Sequence, residues 1–293
     1  MRQKGQALLL VLLSMAVVLT IVLSILSRSV TDIAVTSRDE EALRAFSAAE
    51  AGVEQALVAG GGSGTVGNAS FNANVSGFAS GSQAFVNPEG LYSGESMIAW
   101  FAAHDANGNL VCSAQFPCFT GRNIKVCWGK AGTGATTATT PALEVSVFYL
   151  TTPGDYSTVR IVRVAVDPNS NRTATNKFSA PDGGTCTISG TNFQFQKTID
   201  LGPSGLGIPP STYNSQNGLQ FARFRFLYNT DTTHQAGIDV NLPGNSLLPS
   251  QGLKIDSAGT SGESNRKIEV FQSYGEVPLS FSGSVFSTGD IVK

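Results

Sequence analysis

The chain is short of charge. Asp, Glu, Lys and Arg make up 14% of its 293 residues, and the net charge is −2. No basic cluster stands out, which argues against a nucleic-acid binder. Histidine is scarce too. His104 and His234 are the two imidazoles available for acid–base or nucleophilic work. The four cysteines include no C-x-x-C pair, and His104 is the one imidazole near them, which disfavours zinc. Most telling is a fourth absence: no proline or glycine lies between Gln6 and Ala51. Nothing in that stretch would break a helix.

What fills the stretch changes character half-way. A basic stub, Met1-Arg2-Gln3-Lys4-Gly5, precedes an uncharged apolar run from Gln6 to Ser27. That run is about 22 residues, or about 33 Å as a helix, long enough to cross a bilayer. Ser14, Thr20 and Ser24 are its polar interruptions, and their hydroxyls can bond to carbonyls of the preceding turn. Arg2 and Lys4 place the N-terminus in the cytoplasm and the rest of the chain outside. A cleaved secretory signal is the competing reading. It would have a shorter apolar core and a small-x-small site followed by a break, whereas Leu26-Ser27-Arg28-Ser29-Val30 keeps helix-forming character.

From Arg28 the pattern is amphipathic. Leu43, Phe46, Val53 and Leu57 recur at helical spacing, beside a stripe of small residues, Ala42, Ala45, Ala49, Gly52 and Ala56. A bulky ridge next to a small groove suits close packing against a sheet or another helix. Glu40 precedes Arg44 in the favourable order for an ion pair, and Ser37–Glu41 reads as a solvated face. Gly60-Gly61-Gly62 ends the helix.

These residues resemble those of type IV pilin-like proteins, most of all a minor pilin of the PilX kind, with the K-type minor pseudopilins next. In that family a short basic leader ends in glycine and prepilin peptidase cuts after it, which matches Lys4-Gly5 before Gln6-Ala7-Leu8-Leu9. Arg44-Ala45-Phe46-Ser47-Ala48-Ala49-Glu50-Ala51-Gly52 matches the PilX-type phenylalanine followed by Ala-Ala-Glu-Ala. The resemblance covers about the first fifth of the chain and implies a mature helix from Gln6 to Ala59, about 80 Å long. Two residues depart from the pattern of major pilins. Gln6 stands where they have phenylalanine, and Leu10 where they have a glutamate. The lost carboxylate argues against a bulk fibre subunit and for a tip or initiation component. The resemblance implies leader cleavage between Gly5 and Gln6 and assembly through a helix bearing Leu10, Leu43, Phe46, Ala49, Glu50 and Val53. It also implies as partners other pilin subunits, the prepilin peptidase and the inner-membrane assembly platform.

Cys112, Cys118, Cys127 and Cys186 all fall on the outer side, where an even number favours disulfides. Three connectivities are open. The preferred one closes a local loop, Cys112–Cys118, and pins a distant one through Cys127–Cys186.

About 230 residues follow the helix, ample for one large domain or two small ones. With 32 glycines and many threonines, serines and asparagines, they read as a turn-rich β-domain. The fold class expected is therefore α+β: a long N-terminal helix packed on a mostly antiparallel, extracytoplasmic β-rich domain. Strands are expected at 69–76, along the small-residue stripe, and at 97–103, 124–128, 143–149, around Phe193 and Phe195, and near 268–270. Val159–Val166 reads as a buried strand. In 221–228, Phe224, Phe226 and Tyr228 face one way and Arg223 and Arg225 the other. Residues 60–68 read as a Gly-rich hinge, 131–141 as a solvated threonine loop able to bear O-linked sugar, and 202–217 as a boundary between sub-sheets.

Few motifs in the sequence point to chemistry. Gly62–Gly67 fits G-x-G-x-x-G but follows a helix. Ser264-Asn265-Arg266-Lys267 fits S-x-x-K without its companion motifs. Asp167-Pro168-Asn169-Ser170-Asn171 and Asp105-Ala106-Asn107-Gly108-Asn109 start like calcium loops but lack the later ligands, and tight turns explain them. The expectation is a non-enzymatic, cofactor-free minor pilin-like subunit. The rivals are a signal-anchored surface adhesin and a membrane-anchored hydrolase.

Overall fold

The structure, a computed structural model, describes residues 6–105 and 107–275. The expected leader, residues 1–5, and the end of the expected β-domain, 276–293, lie outside the described residues. The chain divides into two compact units. One joins the N-terminal residues through Ser76 to Lys254–Phe271; the other holds Gly77–Leu253 and the residues from Gln272 on.

The first unit is built on one helix, α1, Gln6–Ala59, 54 residues without a break. It ends where the glycines begin. Gly60 takes φ 81° and its N–H donates to Ala56 O at 2.9 Å, and Gly61 and Gly62 also have positive φ. The helix lies on a four-stranded sheet with the order Gly62–Val66, Ala69–Gly77, Gly252–Ser261, Ser264–Ser273. The hinge expected at 60–68 is thus mostly a strand, paired antiparallel with Ala69–Gly77 through a turn at Gly67 and Asn68. Its glycines belong to the packing. A Cβ on Gly64 would sit 2.6 Å from Cζ of Phe71, the residue paired opposite. Composition cannot distinguish such a strand from a linker, because the partner's ring replaces the missing side chains.

The second unit is a β-sandwich. A five-stranded sheet runs Cys186–Ile188, Thr191–Asp200, Asn123–Lys130, Ala236–Asp239, Ala84–Val86. A four-stranded sheet runs Ser96–Trp100, Leu219–Leu227, Ala142–Leu150, Val159–Val166. All these neighbours pair antiparallel. Alternation puts Ile124, Val126 and Trp128 of one sheet against Val145, Val147, Phe224 and Phe226 of the other in one core. Trp128 is fully buried, and its indole N–H donates to Pro141 O at 2.9 Å.

Several expectations change here. Val159–Val166 is an edge strand, with Val159 47% and Ile161 39% exposed. Tyr228 falls past the end of Leu219–Leu227 at φ 73°, and does not continue the face of Phe224 and Phe226. Arg223 is buried while Arg225 is exposed. The stretch 202–217 lies inside the second unit, carries the short helix Pro210–Tyr213, and leads from Thr191–Asp200 of the five-stranded sheet to Leu219–Leu227 of the four-stranded one. A second short helix, α2, spans Ser170–Asn176.

Both preferred disulfides are present, Cys112–Cys118 and Cys127–Cys186, with Cα separations of 5.3 and 6.0 Å. The loops they close span 6 and 59 residues. Chain-entropy scaling gives about 2 kcal/mol for the first and about 4 kcal/mol for the second. Denaturant unfolding of the Cys→Ala pairs should therefore show the larger loss for Cys127 and Cys186. Equal losses would contradict this ranking.

Candidate functional site: the N-terminal helix

The helix has two halves with different surroundings. From Leu8 to Leu26 fifteen large apolar side chains are solvent-exposed, among them Leu10 at 66%. Full burial of such side chains is worth about 1.5–3 kcal/mol each, so on the order of 20 kcal/mol or more of apolar surface awaits a partner. The helix is long and apolar enough to cross a membrane. Two of its three hydroxyls, those of Ser14 and Thr20, bond to the preceding turn as the sequence suggests. Ser14 Oγ donates to Val11 O at 2.9 Å, and Thr20 Oγ1 to Val17 O at 2.8 Å. Gln6 begins the helix, and Gly5 lies outside the described residues.

In the second half the small residues face the sheet. Ala45, Ala48 and Ala49 are fully buried and Ala56 nearly so. Ala48 packs on Ala69 and Phe71, and Ala56 on Ala73 and Ile255. The approach is close to backbone contact. A Cβ on Gly259 would fall 1.9 Å from Ala45 O and 2.5 Å from Ala49 N, and one on Gly52 would fall 2.2 Å from Ser257 Oγ. Ser257 Oγ donates to Ala49 O at 2.7 Å, a buried bond to a carbonyl already inside the helix. At the near end Glu41 accepts from the N–H of Glu263, so Ser37–Glu41 is not wholly solvated. Glu40 and Arg44 form the expected pair.

Among the residues expected to carry assembly, the helix thus separates two sets. Ala49 is sealed against the sheet and Val53 is half-buried. Leu43 (69% exposed), Phe46, Glu50 and Leu57 stand outward, so the bulky ridge does not pack on the sheet. The sequence reading missed the sheet's half of the seam, Ser257 and Gly259. The signal is small residues at alternate positions of one strand, Ser257, Gly259 and Ser261, opposite a helical stripe of alanines.

The remaining polar candidates have structural work. Asp167 is fully desolvated, and its carboxylate accepts from Arg172 Nε and Nη2, Asn176 Nδ2 and Asn169 N at 2.8–3.0 Å. Arg172 also donates to Ala138 O and Thr140 O, tying down the threonine loop, and stacks on Tyr228 at 3.9 Å. Where a calcium loop would place a cation, this site has a guanidinium. Asp105 accepts from the N–H groups of Asn107 and Asn109, as a turn requires. Ser264 to Lys267 lie in the Ser264–Ser273 strand. Among the described residues no cluster of three or more His, Cys, Asp or Glu could hold a metal. His104 and His234 lie apart. His234 Nδ1 accepts from Lys130 N at 3.0 Å, and His104 is wedged edge-on to Trp100 and stacked on Tyr274. No protein-family model matches the chain, and neither a curated protein nor a solved structure does.

Two outcomes test this geometry. Gly259→Val should force α1 off the sheet, costing about 3 kcal/mol and exposing the amides of 45–56 to hydrogen exchange, while Leu43→Ala should change stability by less than about 0.5 kcal/mol. Unaltered exchange in Gly259→Val would contradict the seam. The second concerns pH. Burial lowers the pKa of His104 from 6.5 to about 4, against the opposing pull of Asp105, and burial and Lys130 lower that of His234. The fold therefore takes up these protons less readily than the unfolded chain, and stability should fall as pH drops from about 6.5 to 5, above the carboxylate range. The melting temperature should follow, with a shallower decline in His104→Gln; a flat profile would sink the assignment.

Proposed function

We propose that this chain is a minor type IV pilin-like subunit. It would be held in the membrane by residues 6–27, released from a short leader after Gly5, and assembled through α1 into the tip or initiation complex of a pilus or pseudopilus. The observation that carries the proposal is a single unbroken 54-residue helix, locked by small residues to a sheet over its second half and bare over its first. A helix made only to tether a domain has no need to continue rigidly from the membrane half into the fold. A helix that must be withdrawn from lipid as one piece with its domain does.

The energetics suit such a transfer. Lipid tails and neighbouring apolar helices keep the Leu8–Leu26 surface equally dry, so exchange between them is nearly balanced in hydrophobic free energy. The two disulfides suit an oxidising, extracytoplasmic setting for the β-rich part. Leu10, apolar where a major pilin has a carboxylate, favours a minor subunit. No covalent chemistry is assigned to the chain.

Mass spectrometry of the N-terminus in producing cells is the deciding measurement. The expected mature chain starts at Gln6, and Gly5→Val should leave the leader attached and the protein absent from sheared surface fibres. An intact Met1 or Arg2 on fibre-associated protein would overturn the reading and favour a signal-anchored binding domain.

A further inference from the structure

The second unit carries a pocket of about 680 Å³ that none of the foregoing uses. Its size lies within the range of about 300–1,000 Å³ typical of small-ligand sites. Three features define its chemistry. The first is an aromatic stack. Tyr274 and His104 both line it, their rings 3.8 Å apart and 14° from parallel, with Trp100 edge-on behind His104 at 4.5 Å. The second is a wall held from behind. Gln115, Phe116 and Pro117 line the pocket and lie within the Cys112–Cys118 disulfide loop. Ser113 bonds the Phe116 N–H inside that loop, and Gln216 grips both the N–H and the carbonyl of Cys118. The wall is therefore preformed and needs no ligand to order it. The third is a set of polar groups left over. The Ser80 hydroxyl, the Gln115 amide and the Tyr274 hydroxyl have no protein partner among the described residues.

Charge narrows the ligand. Among the described residues no lysine or arginine lines the pocket. Burial keeps the His104 imidazole neutral at pH 7, and hydrogen bonds from Asn109 and Asn107 hold the Asp105 carboxyl below its ordinary pKa. Among the described lining residues the one formal charge is thus negative, and an anionic ligand would meet repulsion. A wholly apolar ligand would strand the free amide and hydroxyls. What remains is a ligand with an apolar flat face, several neutral hydroxyls and no acidic group.

We infer that this pocket binds a neutral saccharide, one sugar face against the Tyr274–His104 stack and its hydroxyls on Gln115, Ser80 and Asp105. The site lies wholly within the second unit and is independent of how the chain is anchored or assembled.

The test uses the full chain in a detergent without a sugar headgroup, on an array of neutral and uronate- or sialate-bearing oligosaccharides. At least one neutral glycan should bind, with acidic counterparts about tenfold weaker or more. Gln115→Ala, an exposed loop change that leaves the fold alone, and Tyr274→Ala should each weaken binding about tenfold. Asp105→Asn should narrow the gap to acidic glycans. Four results would each overturn the assignment: no neutral glycan bound, acidic glycans bound equally well, affinity unmoved by both the Gln115 and Tyr274 variants, or capture of proline-rich peptides in place of sugars.

Discussion

The near-contact between α1 and the Gly252–Ser261 strand governs the first unit. Ala45 and Ala49 leave room for Gly259, and Gly52 leaves room for Ser257 and Phe71. Ser257 then anchors the approach with a bond to the Ala49 carbonyl. Such packing fixes the depth of the helix and opposes its rotation, because a turn towards the ridge would drive Phe46 into the sheet. Since nothing interrupts α1 from Gln6 to Ala59, a rotation fixed at Ala49 is also fixed at Leu10, about 60 Å away along the axis.

In the second unit buried polar groups take the corresponding role. A fully desolvated carboxylate such as Asp167 is tolerable only with complete pairing, and four donors supply it. The same Arg172 that neutralises it reaches two carbonyls of the threonine loop. One ion pair therefore neutralises a buried charge and restrains a low-complexity surface segment. The Cys112–Cys118 loop is held by a similar economy, with Gln216 replacing the backbone partners that an irregular segment lacks.

The sequence made legible whatever a local period could carry. The helix and its glycine stop, the strands at 69–77, 123–130 and 142–150, and the fully buried Phe224 and Phe226 all follow from spacing. What was illegible depended on partners far along the chain. Gly62–Val66 is a strand because Phe71 and Ala73 lie opposite it. Val159–Val166 leaves Val159 and Ile161 exposed at a sheet edge, a position that its run of apolar residues does not record. The helix offered two candidate faces, a bulky ridge and a small groove. The choice between them rested on Gly259, some two hundred residues on, which no periodicity in residues 28–59 records. The pocket was hidden for the same reason: His104, Gln115 and Tyr274 meet only after folding.

In the assembly proposed above, the two halves of α1 divide the requirements between them. In the Leu8–Leu26 half, Ser14 and Thr20 satisfy their hydroxyls within the helix, so neither asks for an external hydrogen-bond partner. Contacts there are mainly van der Waals, and one apolar neighbour serves nearly as well as another. Discrimination among neighbours must come from where water is present, because there an ill-fitting partner leaves apolar surface wet. On α1 that place is the outward ridge of Leu43, Phe46 and Leu57, with the Glu50 charge among them. The seam that buries Ala45 and Ala49 is what turns that ridge outward, so the packing that stabilises the first unit also selects the face available for specific contacts.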